Sequence, residues 1–251
     1  LLSGARRTIG YQREAYPGTL THPVAGGRHQ ERIPETEYVL RLALAAHASP
    51  APELPTLVVA GAASPSLDAM LAAHGIEPAD RLVVIHAGSI NGSAKRWPSG
   101  YWARFADALV RDAGVRIALI GAKADSAIAK EVRTRVSVPI ADLTGQTDIP
   151  QLAALLCRAD LVASGDSGPL HLANALGRPI LAVFGPTDVR IYGPYRPSNA
   201  ALLHRAYLAC SPCYTLSAIA ECPLGDPICM RLVTPERMVA SARALLSGEE
   251  V

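Results

Sequence analysis

From Arg81 to the carboxyl end, short aliphatic runs take turns with amphipathic helical stretches, and few folds tolerate that order. The runs are RLVVIHA (81–87), VRIALIG (115–121), SVPIADL (137–143), DLVAS (160–164) and PILAVFG (179–185). Runs this uniformly apolar suit strands covered on both faces, which means a parallel, doubly wound α/β sheet. The helical signals lie between them. Ser99 reads as a cap, followed by Trp102, Phe105, Ala106, Leu109 and Val110 on one face and by Gly114 as a stop. SAIAKEVRTRV (126–136) is a helix with a polar face, and Asp148 with Gln151 forms a capping-box start for a helix over 152–156. PLHLANAL (169–176) is closed by Gly177, and Thr234-Pro235 opens a last helix with Val239, Ala242, Leu245 and Leu246 on one stripe.

This pattern divides the chain. Residues 81–251 suit one doubly wound domain. The preceding stretch, 48–80, contains ASPAPELPT and GAASPS and reads as an interdomain connection. Residues 1–47 then read as the closing remnant of an earlier domain. Leu1-Leu2-Ser3-Gly4 resembles a helix tail with its glycine stop, so the chain is expected to begin inside an element. Lys and Arg total 24 against 22 Asp and Glu, with no clustered basic surplus, so nucleic acid is not an expected partner. No apolar run approaches the roughly 18 residues that span a bilayer, and LLSGARRTIG lacks a signal-peptide pattern. A cytoplasmic protein is the expectation.

Ligands of open α/β sheets sit beyond the carboxyl ends of the strands, so the loops there are the candidates. The first strand delivers HAGSINGSAKRWP (86–98), whose small residues, Ser89 among them, let backbone N–H groups approach an anion. Lys95 adds a point charge suited to phosphate. The same loop equally suits a flexible surface segment with a solvated lysine, and it is not a Walker loop. The second strand delivers GAKAD (121–125), where Asp125 either accepts from ribose hydroxyls or complements a helix dipole. The fourth runs through Gly165, Asp166, Ser167, Gly168 and Pro169 straight into a helix, whose free N–H groups form an anion site. His171 stands in the first turn. Asp166 or Ser167 would serve equally as a plain N-cap. The fifth delivers a tight turn, 185–188, with Thr187. Four polar, glycine-containing loops on one edge point to a nucleoside-diphosphate ligand.

Cys210, Cys213, Cys222 and Cys229 form a C-x2-C-x8-C-x6-C cluster. In a reducing compartment this spacing reads as a structural tetrathiolate site for zinc or iron, or else as core cysteines. Cys157 reads as core.

HAGSINGSAKRWP and SGDSGPLHLANALGRPILAVFGPTD (164–188) resemble the two signature segments of glycosyltransferase family 9, the ADP-heptose:lipopolysaccharide heptosyltransferases, and RRTIGY (6–11) resembles a segment near the end of that family's first domain. The resemblance implies a GT-B fold of two Rossmann-like domains, of which 1–47 would be the remnant of the N-terminal, acceptor-binding one. It implies an inverting transfer of heptose from ADP-heptose, or a related nucleotide sugar, to a lipopolysaccharide core acceptor, with no cofactor required for catalysis. Lys95 would contact donor phosphates or sugar and stabilise the leaving group. Asp166 would bind the heptose, and Ser167, Gly168 and His171 would face the diphosphate. Asp125 is the best match to a family acid that is commonly glutamate. The family's general base is an aspartate early in the N-terminal domain, in a segment this chain does not contain, so the 251 residues are expected to hold a donor without transferring it efficiently. Some relatives transfer heptose to a protein, such as an autotransporter, and carry an iron-binding cysteine cluster. The alternatives are a non-catalytic nucleotide-sugar-binding module and another GT-B chemistry such as an epimerase. Membrane association would be at most peripheral, at the inner face of the inner membrane.

Overall fold

The computed structural model describes residues 4–12, 14–16, 18–27, 31–49, 57, 59, 65–90, 92–195, 201–214 and 220–248. Its centre is a six-stranded, wholly parallel sheet: β3 (Leu82–His86), β4 (Arg116–Ile120), β5 (Ala141–Asp142), β6 (Leu161–Gly165), β7 (Ile180–Phe184) and β8 (Ala201–Arg205), in spatial order β5-β4-β3-β6-β7-β8. The winding direction reverses between β3 and β6, where His86 pairs with Ser164. A crevice opens outside the strand ends at such a reversal, and that is where ligands bind.

Alternation along the strands explains the two cores. Val83 and Ile85 face one way and Leu82 and Val84 the other, as a period of two requires. The first face packs against α3 (Ser99–Ala113), α4 (Ser126–Arg133) and α9 (Pro235–Ser247), through Trp102, Phe105, Leu109, Val132 and Met238. The second meets α2 (Pro65–Ala73), α5 (Ile149–Arg158) and α6 (Gly168–Ala175), through Leu67, Leu71, Leu155, Leu156 and Leu170. Burying a side chain of this size contributes about 2 kcal/mol, so the two helical layers fix the sheet from which the loops project.

The caps at Asp148 and Thr234 form as their spacing predicts. Asp148 accepts from the Gln151 N–H at 2.8 Å and Gln151 answers at 3.0 Å, while Thr234 accepts from the Arg237 N–H. Ser99 is not a cap. Pro98 takes the capping position in extended backbone, and the Ser99 hydroxyl, one residue inside the helix, donates to Glu131. Within 137–143 the ladder is confined to Ala141 and Asp142, because Pro139 has no N–H to give. In the proline-rich stretch, Pro65 starts α2 instead of breaking it, since the first helical residue needs no N–H donor.

Near the amino end, β1 (Ile9–Tyr11) pairs in parallel with β2 (His22–Val24), and α1 (Glu35–Ala45) lies beside them. Tyr11 stacks on Tyr38 with ring centroids 4.0 Å apart and donates its hydroxyl to the Tyr38 carbonyl at 2.9 Å.

At the sheet's edge, β8 carries His204, whose Nε2 is 2.7 Å from Ser241 Oγ. Burial, with Arg237 nearby, pushes its imidazole down from 6.5 to about 4. The folded protein therefore keeps this ring neutral where the unfolded chain protonates it. The resulting stability is whole above pH 6.5 and drains away as pH falls through 4. For a partly exposed ring the expected loss is about 2 kcal/mol. Urea denaturation at pH 7 and pH 4 should show it, and His204→Gln should remove this part of the slope.

Candidate donor-binding site

A cleft of about 460 Å³ opens at the β3/β6 reversal. Its lining falls into two chemical groups. One is apolar, Ile90, Ile120, Ile149 and Leu152, of which Ile149 is 76% exposed. The other is polar and is built by Ser89, Lys95, Asp166, Ser167, Gly168 and His171.

Lys95 closes the short 3-10 turn Ser93–Lys95 that follows the β3 loop. Its Nζ stands 2.7 Å from Asp166 Oδ2, with the two side chains only 10% and 9% exposed. It also lies 5.3 Å from the centre of the Tyr214 ring. His171 Nε2 is 3.8 Å from the other carboxylate oxygen. Burial pulls the Asp166 carboxyl upward, but the His171 imidazole and the Lys95 ammonium outweigh it and hold the group below the usual carboxylate range. Asp166 is thus an anion gripping a cation at the mouth of a helix.

The plain capping alternative does not describe this loop. Ser167 occupies the N-cap position of α6, yet its side chain makes no capping bond. Its hydroxyl pairs with Ser164 Oγ at 2.7 Å instead, and the Asp166 carboxylate faces Lys95 and His171. The first N–H groups of α6 are left to whatever enters the cleft, which favours an anion.

Part of the cleft wall is a polar chain. His86, at the end of β3, places Nδ1 3.4 Å from Ser164 Oγ and Nε2 3.7 Å from Asp125 Oδ2. Asp125 also accepts from the Ala122 N–H at 2.9 Å. Hydrogen bonding to His86 outweighs burial and lowers its pKa. The carboxylate fits between two glycines: a Cβ on Gly88 would fall 2.1 Å from Asp125 Oδ1, and one on Gly121 would fall 2.9 Å from its Cβ. Asp125 lines the cleft with its carboxylate engaged by the protein. Thr187 is placed elsewhere. It is 1% exposed, does not line the cleft, and stands in the β7 turn beside Asp188, which caps α7 (Val189–Tyr192).

His86 and Tyr214 escaped sequence reasoning. His86 offered a signal, a lone imidazole ending an apolar strand. Tyr214 offered none, because it reaches Lys95 from a segment distant in sequence.

That segment carries the cysteines. Its backbone is fastened to the sheet edge, with the Cys213 and Tyr214 N–H groups donating to the Pro186 carbonyl at 2.9 and 2.8 Å. All four cysteines are free. Burial and the neighbouring thiols push Cys229 up to about 11, and Cys213 is raised for the same reasons. Among the described residues, no group of three or more His, Cys, Asp or Glu side chains is arranged to hold a metal ion. As placed, the thiols do not fit the expected tetrathiolate centre.

The family model for glycosyltransferase family 9 (heptosyltransferase) matches residues 3–222. The chain belongs to glycosyltransferase family 9. A family relative, lipooligosaccharide heptosyltransferase 2 of Campylobacter jejuni, is 30% identical over 174 residues, covering 68% of this chain and 53% of that protein. The chain thus spans about half the length of the curated family 9 relatives it matches. The solved Escherichia coli ADP-heptose lipopolysaccharide heptosyltransferase II superposes with a TM-score of 0.75 at 23% identity, covering 99% of this chain and 72% of that one. The iron-containing dodecameric glycosyltransferase TibC of enterotoxigenic E. coli superposes with a TM-score of 0.52 at 19% identity, covering 68% of this chain and 46% of that one. The GT-B type of α/β fold is thereby established for this family 9 chain, as is its relation to the transferases.

Proposed function

We propose that this chain is the donor-binding part of an inverting heptosyltransferase that moves heptose from ADP-heptose to a lipopolysaccharide core acceptor. The observation that carries the reading is the Lys95–Asp166–His171 cluster at the uncapped start of α6. The apolar lining of the cleft takes the adenine, and the Ser89 and Gly168 backbone with Ser167 and His171 takes the diphosphate. Asp166 orients the heptose hydroxyls. An acceptor hydroxyl attacks the anomeric carbon from the face opposite ADP, in a single displacement that inverts the centre. Lys95 and the helix N-terminus stabilise the charge that develops on the departing diphosphate. The general base comes from acceptor-side residues facing the cleft. Among the described residues no helix is long and apolar enough to cross a membrane. We place the enzyme at the cytoplasmic face of the inner membrane, where a glycolipid acceptor is presented.

Calorimetry against ADP, UDP and GDP tests the donor. ADP should bind at least about tenfold more tightly than the other two, a difference of roughly 1.4 kcal/mol. Equal affinities, or a preference for UDP, would remove ADP-heptose from the reading. Failure of all three to bind would favour a scaffold role over donor binding.

A second reading makes the acceptor a protein. The four-cysteine segment beside the site favours it, since TibC is an iron-containing relative by fold. In that reading zinc or iron at Cys210, Cys213, Cys222 and Cys229 would be structural, and it would require thiols that are not gathered around one point in this structure to draw together and lose their protons. Elemental analysis of the purified chain should then find about one metal ion per chain. A metal-free protein would sink this reading and leave the glycolipid acceptor.

A further inference from the structure

The same edge of the sheet carries a second recess that shares no lining residue with the donor cleft. It lies at the ends of β7 and β8 and has a volume of about 560 Å³, with Arg32, Arg190, Arg205, Tyr207 and Ser211 on its walls. Asp188 supplies the opposing carboxylate, and Arg190 already grips it with Nε at 3.0 Å and Nη2 at 2.8 Å. Three guanidiniums against one carboxylate leave a positive surplus. Arg205 lies over the Tyr207 ring, with its guanidinium carbon 4.7 Å from the centroid. Its Nη2 reaches the Ser211 carbonyl only at 3.4 Å, and its Nε is buried with no hydrogen-bond partner among the described residues. With Nε buried and Nη2 only weakly engaged, the guanidinium keeps donor capacity at its outer edge, and such a fork is matched to a phosphoryl oxyanion.

We propose that this recess is a phosphoryl-binding subsite, and that it holds a phosphate carried by an anionic glycolipid acceptor. The link to the donor cleft is short. Ser211 stands in the recess and Tyr214 lies against Lys95. Three residues of chain separate their Cα atoms by at most about 11 Å, a span that a phosphorylated saccharide headgroup covers. The subsite binds phosphate whether or not the donor reading holds. Its role in acceptor recognition rests on that reading.

The test titrates inorganic phosphate into the wild-type chain, Lys95→Met and Arg205→Gln, following backbone amide NMR signals at Arg205, Tyr207 and Ser211. Signals at Ser167 and Gly168 report the donor cleft separately. The recess signals should shift saturably in wild type and in Lys95→Met, with Kd raised about tenfold in Arg205→Gln. Arg32→Gln, an exposed change that leaves the sheet intact, should weaken binding in the same direction. Recess signals that do not saturate, or that ignore both arginine changes, overturn the subsite. Saturation at the recess with a silent cleft keeps the subsite and counts against the donor reading. A second arm compares micelles of a phosphorylated glycolipid with the same glycolipid after phosphatase treatment. The recess should respond only to the first; a response to inorganic phosphate but to neither glycolipid would assign it to a free phosphate and overturn the acceptor role.

Discussion

Replacing Lys95 with methionine should weaken ADP binding by roughly 100-fold and cost the fold about 3 kcal/mol at neutral pH. Both effects come from one ion pair. The Lys95 ammonium is 2.7 Å from Asp166 in a setting where each side chain is about nine-tenths buried. Removing the cation leaves a buried carboxylate with His171 as its neighbour at 3.8 Å. In the wild type the Asp166 pKa is depressed, so its contribution to stability is present above the ordinary carboxylate range and lost as pH falls through the folded value. Without Lys95, burial outweighs the one remaining partner and the Asp166 pKa rises. The variant should therefore lose most stability near pH 7 and approach the wild type only as pH falls through the depressed Asp166 pKa, below which the carboxyl is protonated in both. Urea midpoints across this range measure the effect. Adding Asp166→Asn separates the two roles: the double variant should recover stability, because no buried charge remains unpaired, yet still bind ADP poorly. Recovery of ADP affinity in the double variant, or wild-type affinity in Lys95→Met, would show that the lysine does not meet the diphosphate.

The sequence made the sheet legible because each run of buried aliphatics could be only a strand covered on both faces. The order of winding then brought the loops after β3, β4 and β6 to one edge, and Lys95, Asp166, Ser167 and His171 met there as the motifs implied. Three features were not legible. β8 has the half-buried pattern of an edge strand, so ALLHR lacks the continuous apolar signature of its neighbours. Thr187 and Asp125 sat in loops of the right composition, but composition does not say which way a side chain turns. Asp125 turns into a slot that exists because Gly88 and Gly121 have no Cβ. The contact between Lys95 and Tyr214 joins segments far apart in sequence, and nothing in either segment announces the other.

Gly92→Ala should lower stability by roughly 3 kcal/mol and weaken ADP binding at least about tenfold, although Gly92 does not line the cleft. Gly92 has φ +91° and ψ −172°, a region essentially reserved for glycine that costs an L side chain about 1–3 kcal/mol. An added Cβ would also fall 2.0 Å from the Ala220 carbonyl oxygen and 2.6 Å from its carbon. Those are backbone atoms, so no rotamer change relieves the clash, and one of the two segments must move. The segment around Ala220 belongs to the cysteine-rich stretch, and its carbonyl accepts the Ala94 N–H at 3.1 Å beside Lys95. Separating the two breaks that bond and lets the turn Ser93–Lys95 drift from Asp166, and a misplacement of about 1 Å is enough to cost binding and catalysis. Gly114→Ala is the control, since Gly114 has φ +63° with nothing within 4 Å of its added Cβ. It should cost only the backbone term and leave ADP affinity unchanged. Ala220→Gly should fail to rescue Gly92→Ala, because the obstructing oxygen is not part of a side chain. If it did rescue, or if Gly92→Ala bound ADP as well as Gly114→Ala does, the cysteine-rich segment would not be what holds Lys95 in place.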